Sequence, residues 1–263
     1  VPFTLVHPAA VLPLVRTPLV PSALFLGSVA PDLPYFVSLR WIGGDYNLTL
    51  THSASSLLWL DPAIALVLLA VFHGVLRRPL VALLPPAVAG RLSPYGLVWR
   101  SPRAAALIVV SLAVGAATHL LWDAAADAAG YGWSTRLNLL SDVLGALVLL
   151  GWAVHWWRTT TPRPLPDGRL LAPRTRTAAL GALLALPLAW GVVRVAQVAG
   201  QVCDDLHEYG GFSRSALADH LARELVVQGG AALAVVVVWY AAVWHVVRLV
   251  RNAVAVNGGR ALG

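Results

Sequence analysis

The chain has 263 residues, of which 58% are hydrophobic and only 12% charged, and its formal net charge is +7. Soluble domains carry about 25% charged residues, so this composition excludes an ordinary soluble domain and predicts an integral membrane protein. The basic excess does not point to nucleic acid, because the arginines fall in short loops between apolar runs, where they set membrane topology.

All 19 basic residues are arginine, a bias that, with the Ala/Val/Leu richness, suggests a GC-rich bacterial genome. The one cysteine, Cys203, excludes an internal disulfide and a cysteine-based metal site. No methionine opens the chain, which suggests a trimmed start, and no basic region of a signal peptide is present.

A membrane span needs about 20 mostly apolar residues. Val1 to Leu39 is apolar but interrupted by Pro8, Pro13, Pro18, Pro21, Pro31 and Pro34, and predicts a broken or re-entrant helical hairpin. Spans follow at Leu50 to Leu76, Arg103 to Ala126, Leu137 to Trp157, Thr177 to Val202 and Leu225 to Val250. Between them, Pro79 to Leu92 predicts a short surface helix, Pro162 to Pro173 a solvated connector, and Asp204 to Glu224 a polar outer cap. The fold class is thus all-α, a polytopic bundle of about six transmembrane helices. Its expected parts are a site-bearing membrane domain (1–158), a linker (159–176) and a C-terminal helical pair (177–263).

Arginine placement predicts the orientation. Arg77, Arg78, Arg91, Arg100, Arg103, Arg158, Arg163, Arg169, Arg174, Arg176, Arg248, Arg251 and Arg260 fall on one side. Arg40, Arg136, Arg214 and Arg223 fall on the other. The richer side is cytoplasmic by the positive-inside rule, which puts the C-terminus inside a bacterial cytoplasmic membrane.

Ionisable groups within spans are costly and are functional candidates by default. His119, Asp123 and Asp127 are spaced i, i+4, i+8 and share one helical face, where an imidazole and a carboxylate can clamp a metal. Asp127 also suits a solvated helix end. His52, in THSASS, falls level with that pair near the outer end of its span. Asp61, nine residues on, points to roughly the opposite face and can start a helical turn with Pro62. His7 before Pro8 and Asp32 after Pro31 sit at breaks where side chains can enter a cavity, although Asp32 also suits a turn.

Asn138 and Asp142 stand one turn apart at the start of the next span, with a cap role open for Asn138. Asp204, Asp205 and Glu208 form a DDxxE cluster able to hold Mg²⁺ against a diphosphate, a pattern also common on ordinary helix surfaces.

The runs PFTLVHPAAVLPL, GSVAPDLPYF, THS and THLLWD, in that order, resemble the bacterial membrane proteins of domain-of-unknown-function family 4184. The same order of His, Pro-Asp, His-Ser and His-x-x-x-Asp is similar to the membrane-bound metal-dependent hydrolases, related to zinc phospholipase C-like folds. That resemblance implies that His7, Asp32, His52, His119 and Asp123 gather as metal ligands. The family commonly continues with Thr-His where this chain has Ala126 and Asp127, and carries Gln and paired Ser where it has Asn138, Ser141 and Asp142. The added carboxylate favours Mg²⁺ or Mn²⁺ over Zn²⁺.

Three functions are compatible with these residues. The first is metal-dependent hydrolysis of a phosphorylated lipid, with His52 or His7 as ligand or base and Arg136 on a phosphate oxygen. The second is Mg²⁺-dependent ionisation and cyclisation of an isoprenoid diphosphate at Asp127, Asp142, Asp204, Asp205 and Glu208. There Trp122, Trp133, Trp152, Trp156 and Trp157 would stabilise a carbocation. Interfacial anchoring is the plainer reading of Trp156 and Trp157. The third is a non-catalytic scaffold or transporter.

Overall fold

The computed structural model describes residues 6–37, 48–92, 101–128, 131–165 and 170–260. Arg40, Arg100 and Arg169, used above for orientation, lie outside them, as do the first five residues and the Trp133 side chain. The described residues form helices and no strand. Five segments are long and apolar enough to cross a membrane: Leu60–Leu83, Pro102–Ala128, Arg136–Thr159, Pro173–Glu208 and Arg214–Val254.

The chain divides into two compact units, Val1–Gly74 with Ala87–Pro164, and Val75–Pro86 with Leu165–Gly263. In the first, prolines break the N-terminal region into short pieces. These are α1 (Pro8–Val11), a 3-10 turn (Leu12–Arg16), α2 (Pro21–Val29), a second 3-10 turn (Ala30–Asp32) and α3 (Leu33–Phe36). Pro8 and Pro21 each sit in the first turn of a helix, where the missing N–H costs nothing.

The next span begins at Leu60, not Leu50. Residues before it form α4 (Leu48–Thr51) and a 3-10 turn (Ala54–Leu58), followed by α5 (Leu60–Val71). The THSASS hydroxyls divert the backbone there, since serine and threonine side chains compete with helical hydrogen bonding. Ser53 Oγ donates to the Leu50 carbonyl at 2.7 Å, and Ser56 Oγ donates to Asp61 Oδ2 at 2.5 Å. At its far end this span runs through a π-turn (Phe72–Leu76) and α6 (Arg77–Leu83). The segment expected as one surface helix over Pro79–Leu92 is therefore partly span and partly the short α7 (Pro86–Ala89).

Two long helices complete the first unit, α8 (Pro102–Ala128) and α9 (Tyr131–Thr159). The contact between α2 and α8 is glycine on glycine. A Cβ on Gly115 would collide with the Leu24 carbonyl oxygen and stand 2.9 Å from the Ser28 nitrogen; one on Gly27 would collide with the Leu112 carbonyl. Small residues of this kind let membrane helices approach backbone to backbone. The register is pinned by Ser111, whose Oγ accepts from the Val20 N–H at 2.8 Å. Around the crossing lies a core of Ala23, Ala30, Leu60, Ile64, Leu69, Ile108 and Leu112.

The second unit pairs α10 (Pro173–Glu208) with α11 (Arg214–Arg260). Gly191 admits Leu225, whose Cδ1 would lie 2.8 Å from an added Cβ. Tyr240 donates to the Pro79 carbonyl at 2.9 Å, tying α6 to α11.

Filling the glycine crossing should therefore separate α2 from α8. Gly115→Leu is expected to lose about 1–3 kcal/mol by overpacking, seen as a lower midpoint of thermal unfolding in detergent. Gly74→Ala, where a Cβ meets nothing within 4 Å, should leave that midpoint unchanged or raise it.

Candidate metal centre

Five polar side chains meet beside the α2–α8 crossing. His119 and Asp123 project from one face of α8 as their i, i+4 spacing requires, with His119 fully buried and Asp123 7% exposed. Asp32 ends the 3-10 turn after α2; Pro31, lacking an N–H, cannot continue that helix's ladder. The turn leaves the Asp32 carboxylate fully buried. His52 follows α4 in the turn made by the THSASS run, and its side chain is 21% exposed. His7 precedes Pro8 at the start of α1 and is 4% exposed.

Ligand-type atoms of four of these side chains lie close together. His119 Nε2 lies 3.3 Å from His52 Nε2, 3.4 Å from Asp123 Oδ2 and 3.5 Å from Asp32 Oδ1. His52 Nε2 lies 3.4 Å from Asp32 Oδ1 and 3.5 Å from Asp123 Oδ2. Most of these separations exceed the roughly 2.7–3.2 Å of an N–H···O bond. Two overlapping sets of three, Asp32 with His52 and His119 and His7 with His119 and Asp123, each bring one ligand atom per residue within 4.8 Å of one another, close enough to hold a metal ion.

Charge points the same way. Burying carboxylates without compensation costs several kcal/mol each, and both Asp123 oxygens are buried without a hydrogen-bond partner. Two carboxylates and two neutral imidazoles around one dication sum to zero. His7 joins His119 and Asp123 in one of these sets. Its Nε2 faces the other Asp123 oxygen, Oδ1, at 3.8 Å, and its ring stacks on His119 at 3.7 Å between centroids.

The surrounding backbone fixes which imidazole nitrogen faces the centre. His119 Nδ1 donates to the Ser28 carbonyl at 2.8 Å, an acceptor brought within reach by the glycine crossing. Thr51 Oγ1 donates to the Pro31 carbonyl at 2.8 Å and so can accept from His52 Nδ1, 3.2 Å away. Both rings then turn Nε2 inward, the nitrogen that a metal-binding histidine would offer there. The Thr51–Pro31 bond also joins the turn carrying His52 to the one carrying Asp32.

The other expected residues fall elsewhere. Asp127 is exposed, one turn beyond Asp123 on α8. Asn138 and Asp142 are half-buried one turn apart on α9, and Arg136 is exposed near its start. Trp122 is 48% exposed on α8. Asp204, Asp205 and Glu208 are exposed on the last turns of α10, in the second unit, where the region expected as a cap is the end of α10, a short turn and the start of α11 at Arg214. Two contributors escaped the sequence reading, Thr51 and the Ser28 carbonyl, while Asp61, read there as a helix start, is fully buried and holds the THSASS turn through Ser56. A sequence signal existed for α8 alone, where Ser111, Gly115, His119 and Asp123 recur every four residues as one stripe.

Residues 1–139, more than half of the 263, match the family described as Domain of unknown function (DUF4184). The chain belongs to that family. The DUF4184 match encloses all five clustered side chains and all of α8. No curated protein and no solved structure matches the chain.

An ion held by this cluster should be lost with a central donor. His119→Ala is expected to purify with no more zinc, by elemental mass spectrometry, than a metal-stripped control. Thr51→Val should keep the fold but weaken zinc binding by about 10–100-fold in competition with a chelating dye, the usual cost of losing a group that orients a ligand.

Proposed function

We propose that this protein is a membrane-embedded metallohydrolase acting on the phosphoester or diphosphate group of a lipid. The observation that carries the reading is the cluster of His7, Asp32, His52, His119 and Asp123, set among membrane-length helices. The imidazoles among the donors support Zn²⁺ over the Mg²⁺ or Mn²⁺ that the sequence favours. An ion held there supplies Lewis acidity, lowering the pKa of water and neutralising charge on a phosphoryl group.

The chain's own residues supply the rest. His119 and Asp123 anchor the site on a rigid helix, whereas His52 offers the more open flank, where a phosphoryl oxygen can enter. His7 faces Asp123 Oδ1 and stacks on His119, where it can serve as a further ligand. The resemblance to membrane-bound metal-dependent hydrolases agrees with this chemistry. The arginine distribution supports a bacterial cytoplasmic membrane with the C-terminus inside.

A second reading rests on the donor count. Four protein ligands suit a closed structural ion, since catalytic zinc sites usually keep one position open. Catalysis then needs Asp32 or Asp123 to loosen, or the coordination to expand to five.

The test is phosphate release by the full chain in lipid nanodiscs, with an acyl-lipid monophosphate or a prenyl diphosphate as substrate. Zinc-dependent release that drops to background in Asp123→Asn is the expected result. A cyclised hydrocarbon would replace hydrolysis by the isoprenoid reading, and stoichiometric zinc without turnover would leave a structural ion.

A further inference from the structure

A cavity of about 220 Å³ opens beside the metal centre, between the N-terminal turns, α8 and α9. Val6, Ala9 and Ala10 form one wall, Leu144 and Val148 of α9 another, and Trp122 of α8 a third. Its mouth is apolar and open to the protein surface: Leu144 is 59% exposed, Val148 50% and Trp122 48%. The inner end is His7, almost fully buried, whose Nε2 lies 3.8 Å from Asp123. The cavity therefore runs from the outside of two membrane-length helices to a side chain of the polar cluster.

We propose that this cavity holds the first stretch of one aliphatic chain of the substrate, with its phosphoryl group at the Asp123 end. The inference rests on the hydrolase reading above. Three features select this occupant. The volume is below the roughly 300–1,000 Å³ of a pocket that encloses a whole drug-sized ligand, so one chain fits and a two-chain lipid does not. The walls offer water little: a buried water needs 2–4 polar partners, and Ser141, besides His7 the other polar lining residue, spends its hydroxyl on the Leu137 carbonyl at 2.6 Å. The mouth lies on a span only 6% buried within the protein, so a chain enters sideways from the bilayer without meeting the aqueous phase.

Because acyl chains of the bilayer are as apolar as the walls, the cavity gains little from hydrophobic transfer. It positions the chain instead. Gly145 shapes the narrow part, where an added Cβ would stand 2.9 Å from Val6 Cβ.

Photolabelling tests the proposal. The zinc-loaded full chain in nanodiscs is irradiated with a single-chain alkyl phosphate carrying a diazirine on its chain, and labelled peptides are mapped by mass spectrometry. Labelling at 6–10 and 144–148 that excess unlabelled alkyl phosphate competes away is the expected result. Val148→Trp, which fills the mouth, should lower that labelling at least about fivefold while zinc content stays at the wild-type level. Ala10→Phe serves if that variant does not fold. Uncompeted labelling spread over all lipid-facing helices, or labelling indifferent to both fillings, overturns the proposal. Competed labelling at these segments without phosphate release supports the cavity and rejects only the hydrolase reading.

Discussion

Everything in the first unit depends on the contact of Gly27 with Gly115. Helices in a bilayer gain little by hiding apolar side chains from one another, because lipid is equally apolar. They associate where backbones can approach closely. Here the absence of two Cβ atoms lets α2 lie against α8 near enough for the Ser28 carbonyl to accept from His119 Nδ1. One contact thus sets the packing distance, the tautomer of a central histidine and the place where the next turn, Ala30–Asp32, must fall.

The polar cluster is the cost imposed by that arrangement and also its purpose. Two carboxylates within the protein, Asp32 and Asp123, would oppose folding unless something positive stood between them. The imidazoles stand 3.4–3.5 Å from the carboxylate oxygens, so a bound dication or a protonated ring would supply that charge. Thr51 extends the same logic outward: one hydroxyl bonds the Asp32 turn and orients the His52 ring. Broken backbone at membrane depth is tolerated only where protein covers it. Here the proline-interrupted segment lines the cluster and the cavity leading to it.

How much was legible follows from how local each feature is. The helices were legible because length and hydropathy are properties of the chain itself. The start of the second span was misplaced because Leu50 to Leu58 is apolar enough to pass as membrane, while its helix is broken by serine and threonine hydroxyls. His119 and Asp123 were legible as a pair because helical periodicity alone puts them on one face. His52 could be set level with that pair by the order of the spans, whereas His7 and Asp32 joined them only through the resemblance, since no spacing rule links residues so far apart in sequence.

The sequence by itself determined a helical membrane protein, a proline-broken start and one His–Asp face, because composition, proline and the 3.6-residue period act over a few turns. Only the tertiary structure decided that the break delivers Asp32 to that face and that Thr51 steers His52. It also decided that an apolar cavity ends at His7, and that Asp127 stays outside the cluster. Those outcomes rest on distances between separate segments, fixed where two glycines allow two backbones to touch.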